Sequence, residues 1–204
     1  MSQNSYTETE VKLYVPDLTA VEQRLQAAGA RLVAPRVLER NVRYDTADGR
    51  LAASGQVLRL RQDTRVRLTY KDQGAALENS ALTRFEAEVE VSDFETMQTI
   101  LARLGYAPSM AYEKYRTTYK LDEVEVALDE LPLGSFVEIE GEVDAIEQAV
   151  ARLGLSAARR YPHSYAKLFD HARHNLGLAF TDLTFANFAG IIVPEAALAA
   201  PGKE

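Results

Sequence analysis

Acidic and basic side chains recur at alternate positions along several short segments of this sequence. Glu8, Glu10 and Lys12 follow the pattern, as do Arg59 and Arg61, then Arg65, Arg67 and Lys71. So do Arg84, Glu86, Glu88 and Glu90, then Lys114 and Arg116. Glu123, Glu125 and Asp129 continue it, and Glu138, Glu140 and Glu142 complete it. Residues spaced this way on a β-strand share one face. Arginine forks match phosphate oxygens in pairs, and lysine adds a compact charge. Paired carboxylates hold Mg²⁺, which keeps part of its water and bridges phosphates. Cysteine is absent and only three histidines occur, so a metal site must be oxygen-rich, which favours Mg²⁺ or Mn²⁺. A polyphosphate with a divalent metal would supply both signs of charge that such faces demand. No Gly-x-x-x-x-Gly-Lys-Ser/Thr segment is present, which excludes a P-loop.

The elements that must position these residues follow from periodicity. A unit of alternating Glu-x-Glu, acidic cap and amphipathic run ending in Gly occurs three times, at 8–29, 86–105 and 137–154. The alternating parts read as strands and the runs as helices. The helical faces are Leu18, Val21, Leu25 and Ala28; Phe94, Met97, Leu101 and Leu104; and Ile146, Val150 and Leu153. Ser92 with Glu95, and Asp144 with Glu147, have capping-box spacing. Further strands are expected over 31–44, 56–61, 65–71, 106–121 and 123–130, with a last helix over 164–176 ended by Gly177. The faces opposite the charges are apolar, Val11, Leu13, Leu58, Leu60, Phe85 and Val89 among them, and the helices can cover them. A polar face turned to water is the ordinary outcome for one strand. Segregation of acidic from basic strands argues instead for a sheet closed into a barrel, which turns the charges inward.

Glu8-x-Glu10-x-Lys12 resembles the signature of the CYTH superfamily, the triphosphate tunnel metalloenzymes. Tyr44-Asp45-Thr46, Leu51, Gly55 and Leu58-Arg59-Leu60-Arg61 resemble its second block, and Leu68-Thr69-Tyr70-Lys71 its lysine strand. Arg84-x-Glu86-x-Glu88, Lys114-x-Arg116, Asp129, Glu138-x-Glu140 and Ser164-Tyr165-x-Lys167 follow in order. The resemblance implies an α+β fold: an eight-stranded antiparallel β-barrel, the triphosphate tunnel, with helices outside. It implies metal binding by Glu8, Glu10, Glu138 and Glu140, helped by Asp129, Glu86 and Glu88. It implies that Arg59, Arg61, Lys71, Arg84, Lys114, Arg116 and Lys167 hold the triphosphate, with Lys12 linked to the reacting water or phosphate. Arg65 and Arg67 match no position of the pattern. Divalent-metal-dependent triphosphate hydrolysis is the expected activity. Cyclisation of ATP to cyclic AMP and non-catalytic polyphosphate binding are the alternatives.

The remaining sequence sets limits. The net charge of −7 counts against a nucleic-acid binder. The first ten residues lack the basic and apolar regions of a signal peptide, and the apolar stretch 185–200 is interrupted by Asn187, Pro194 and Glu195. A cytoplasmic location without membrane contact is expected. The organisation expected is a tunnel domain over 1–176 and a tail over 177–204, the tail packing on the barrel or against another subunit, as in a homodimer. Residues 73–83 are the candidate mobile loop. His171 and His174 are expected on an exposed helix surface.

Overall fold

The computed structural model describes residues 6–201; the leader reading of residues 1–5 and the last three tail residues lie outside it. The strands are β1 (Thr7–Tyr14), β2 (Arg31–Asp45), β3 (Val57–Gln62), β4 (Val66–Lys71), β5 (Ala75–Ala76), β6 (Leu82–Val91), β7 (Ala107–Leu121), β8 (Val124–Leu131) and β9 (Gly134–Glu140). The helices are α1 (Leu18–Ala27), α2 (Arg50–Ala53), α3 (Phe94–Arg103), α4 (Val143–Arg152) and α5 (Tyr165–Leu176), followed by a 3₁₀ turn at Glu195–Leu198. The sheet runs β1-β9-β8-β7-β2-β3-β4-β6, and β6 pairs back to β1. Eight antiparallel strands thus close into a barrel, as expected, with β5 a two-residue addition beside β6.

Alternation along the strands decides what faces out. Val11, Leu13, Val126, Val137 and Ile139 are buried outside the barrel wall under Val21 and Leu25 of α1 and Ile146 and Val150 of α4. Phe94, Met97 and Leu101 of α3 cover Leu58, Leu60, Val66 and Leu68. The cover reaches Val91 at the end of β6 but leaves Phe85 and Val89 of that strand exposed, and Leu104 past the end of α3 as well. Two helix starts also differ from expectation. Asp93, not Ser92, caps α3 by accepting from the Thr96 amide at 2.7 Å. Glu142 precedes α4 without a side-chain cap, and Glu147 instead pairs with Arg160 and Asn79.

The strands alternate in direction, so each end of the barrel is built from starts and finishes in turn. One end is packed by α5 and the tail. Tyr14, Met110, Leu131, Leu133 and Phe136 meet Tyr161, Tyr165, Leu168, Leu183 and Phe188 there. Leu183 bridges to Tyr112, and Ala197 and Leu198 sit over α5. His171 is buried there, its Nδ1 3.0 Å from the Leu198 carbonyl, which corrects the exposed-surface expectation. The candidate loop 73–83 includes β5, and its Asn79 is tied to Glu147 and Arg160.

Candidate functional site

The lumen is a cavity of about 810 Å³ lined by side chains from all eight barrel strands. Register sets most of its contacts. Lys12 lies opposite Glu138, Glu8 opposite Arg84, Lys71 opposite Glu86, and Arg116 opposite Asp129. Lys12 Nζ sits 2.8 Å from Glu138 and 3.5 Å from Glu10. Lys71 bonds to Glu86 and lies 3.0 Å from Glu8, while Arg84 reaches Glu10 at 3.5 Å. Arg61 holds Glu88 at 2.9 Å and Glu39 at 3.4 Å. Arg59 donates to the Tyr112 hydroxyl and to Thr69, each at 3.1 Å. Basic and acidic strands pair at β4–β6 and β7–β8, whereas β8, β9 and β1 set acidic residues side by side, Glu125 and Glu10 each opposite Glu140. Glu90, Glu123, Glu142 and Asp129 of the charged series take no part in the lining: the first three sit at an exposed strand end, in a turn and before α4, and Asp129 is buried.

Two expected site residues are placed elsewhere. Asp129 is fully buried on the inner face, beneath the residues that line the lumen. Its carboxylate accepts from Lys114 at 2.9 Å, twice from Arg116 at 2.6 Å and from the Tyr165 hydroxyl at 2.8 Å. With its oxygens occupied by these donors it anchors the basic residues, and it does not present an oxygen to the cavity. Lys167 is exposed on α5 and is not among the lining residues, while Tyr165 two positions before it is. The other expected site residues all line the one cavity.

Several lining residues were not anticipated. Glu39 is 3% exposed, lies opposite Lys114 in register and faces Arg61 and Lys114. The polar alternation Glu39-x-Asn41-x-Arg43 on β2 was the available signal. Tyr165 places its ring 4.5 Å below Lys12 Nζ. Arg67 and Arg65, which belong to the alternating charged series but match no position of the CYTH pattern, also line the cavity, Arg67 near Glu88.

Burial and neighbouring charge set the ionisation. Burial opposes the charge of Lys12, but Glu10 and Glu138 overcome it and hold the ammonium well above its usual range. Burial likewise works against Glu138, yet Lys12, Arg116 and Lys114 keep it a carboxylate far below the usual range. Glu8 follows the same balance, through Glu86, Lys71 and Arg84, and is drawn down to about 2. Glu140 has no such partner. Burial and then the charges of Glu8, Glu125 and Glu10 push it up to about 8.

Among the described residues, no three His, Asp or Glu side chains are grouped to hold an ion as they stand, the carboxylates leaning on lysine and arginine. The donor chemistry nonetheless fits a hard cation. Glu8, Glu10, Glu125 and Glu140 crowd together against their mutual repulsion. The lining carries ten Lys and Arg against nine Asp and Glu. A triphosphate, charged on every phosphoryl group, would leave this near-neutral lumen strongly negative unless a cation came with it.

The fold is a closed antiparallel barrel around a lumen lined by charges of both signs. The chain belongs to the CYTH family: the CYTH domain pattern matches residues 6–165. It is similar to a Methanocaldococcus jannaschii protein provisionally named an adenylate cyclase, with 28% identity over 143 residues, 69% of this chain and 80% of that protein. It is similar to adenylate cyclase CyaB of Aeromonas hydrophila, with 27% identity over 179 residues, 81% of this chain and 90% of that one. A solved structure from Vibrio parahaemolyticus, provisionally named an adenylate cyclase, shares the fold with a TM-score of 0.71 at 22% identity, covering 80% of this chain and 97% of its own. No described helix is long and apolar enough to cross a membrane.

Proposed function

We propose that the chain hydrolyses the terminal phosphoryl group of a small-molecule triphosphate with Mg²⁺ or Mn²⁺. The observation that carries this is the convergence of Arg59, Arg61, Lys71, Arg84, Lys114 and Arg116 on one lumen, facing a carboxylate cluster short of cations. Glu8, Glu10, Glu138 and Glu140, with Glu86 and Glu88 beside them, would hold the metal. The metal supplies charge neutralisation at the phosphates and a more acidic attacking water. The arginines and lysines exchange their carboxylate partners for phosphoryl oxygens, which positions the chain of phosphates for in-line attack. Lys12 stays protonated, so it serves as a donor to the reacting phosphoryl oxygen and not as a general base. Asp129 and Tyr165 hold Lys114 and Arg116 in place from beneath.

A second reading is cyclisation of ATP to cyclic AMP with release of pyrophosphate. The names of the two relatives above favour it. The same lumen serves either reaction, because the orientation of the substrate decides which phosphorus is attacked. Phosphorus NMR of ATP, thiamine triphosphate and tripolyphosphate with protein and metal separates the two. Inorganic phosphate as the first product supports hydrolysis. Pyrophosphate with cyclic AMP supports cyclisation, and no product from any of the three contradicts both.

A further inference from the structure

The lumen lining changes character at one place. Val33, Ala34, Pro35 and Val37, all on β2, line the cavity as an apolar group among charged walls, and the intervening Arg36 is taken up by Glu130 and the Tyr115 ring. Val33 and its neighbour Leu32 are about half exposed, at 47% and 48%, although three helices cover apolar residues elsewhere. The local cause is backbone irregularity. The pairing of β2 with β7 slips between Leu32 and Ala34 and again between Ala34 and Val37. Such bulges bend a strand and re-aim its side chains, and they concentrate at barrel rims. Pro35 lacks an amide proton and suits such a break in the ladder. The run therefore forms a lip at the end of the barrel opposite α5.

The lip is in line with the phosphate-binding residues. Val37 lies opposite Arg116, and Ala34 lies opposite Thr118. Two residues along β7 span roughly 7 Å, so the lip runs from the level of Arg116 to about two phosphoryl units beyond it. Across the mouth stands β1, four strands away around a ring of eight, and its end carries the half-exposed Tyr6, which also lines the cavity. An inorganic polyphosphate has no use for such a surface. A flat organic ring joined to the triphosphate would bury it and would face Tyr6.

Resting on the functional reading above, we propose that the β2 lip, Val33 to Val37, binds the ring of an organic triphosphate and makes this chain prefer such substrates over tripolyphosphate. The test is the double variant Val33→Ser with Val37→Thr, which removes apolar contact without adding charge. Binding of ATP, thiamine triphosphate and tripolyphosphate is titrated by calorimetry in Ca²⁺, for wild type and variant. The inference expects wild type to bind at least one organic triphosphate more tightly than tripolyphosphate. It expects the variant to lose about tenfold in affinity for that compound and to keep its tripolyphosphate affinity, which also certifies its fold. Equal losses for both classes, no loss for either, or a wild-type preference for tripolyphosphate would overturn it while leaving the phosphate site standing. A wild type that binds none of the three overturns the functional reading itself, and this inference with it.

Discussion

Glu39→Gln tests whether buried counter-charges hold the basic wall together. The Glu39 carboxylate lies 3.4 Å from Arg61 and 3.6 Å from Lys114, and it is nearly inaccessible to water. Burial favours its neutral form, but Lys114, Arg116, Arg61 and Arg59 outweigh burial and draw it down to about 2, against 4.5 for a free side chain. At about 1.4 kcal/mol per pKa unit, ionised Glu39 contributes on the order of 3 kcal/mol to folding at neutral pH. An acid depressed in the folded state contributes fully above pH 4.5 and loses that contribution as pH falls through 2. Glutamine cannot ionise, so its stability carries no such term. The wild-type advantage over Glu39→Gln should therefore shrink by about 2 kcal/mol between pH 7 and pH 3. Urea unfolding of both proteins at both pH values, in metal-free buffer, measures it. An advantage that stays constant across this range would refute the electrostatic account of the wall.

Arg59→Ala and Arg116→Ala should each weaken tripolyphosphate binding about tenfold to a hundredfold in Ca²⁺ calorimetry, and the double variant should fall short of the sum, since both hold one ligand. Glu140→Gln should lose turnover yet melt no lower than wild type without metal, because it relieves a crowded carboxylate cluster and leaves no cation unpaired; a large drop in melting temperature would make it structural. Asp129→Asn should destabilise by about 3 kcal/mol or more in urea, since it strips the buried partner from Lys114 and Arg116. A variant of unchanged stability that has lost metal affinity would instead make Asp129 a metal ligand.

Much of the lumen was legible because strand alternation is a strict period. Glu8, Glu10 and Lys12 declare their shared face by spacing alone, and so do Arg59 and Arg61. What the period does not carry is depth. Asp129 and Glu125 lie on the same face, yet Tyr165, thirty-six positions away, seals Asp129 off while Glu125 reaches the cavity. Glu39 was hidden for another reason: β2 slips register twice before it, so its lower half has no clean alternation to read. Lys167 followed a motif, but a helix turns its residues by a different period, and Tyr165 took the inward place. Phe85 and Val89 look like core because they are apolar and alternate correctly; only the reach of α3 decides that they are left uncovered. Caps err by single residues where two suitable side chains adjoin, as Ser92 and Asp93 do.

The central claim is that one lumen holds a triphosphate and a divalent metal together. Calorimetric titration of tripolyphosphate into chelator-treated protein, repeated with saturating Mg²⁺ or Mn²⁺ while free phosphate is followed, tests it most directly. The near-neutral lining and the crowded carboxylates predict weak binding and no phosphate release without metal, and tight binding with steady release when metal is present. Equal affinity and equal release with and without metal would contradict the claim.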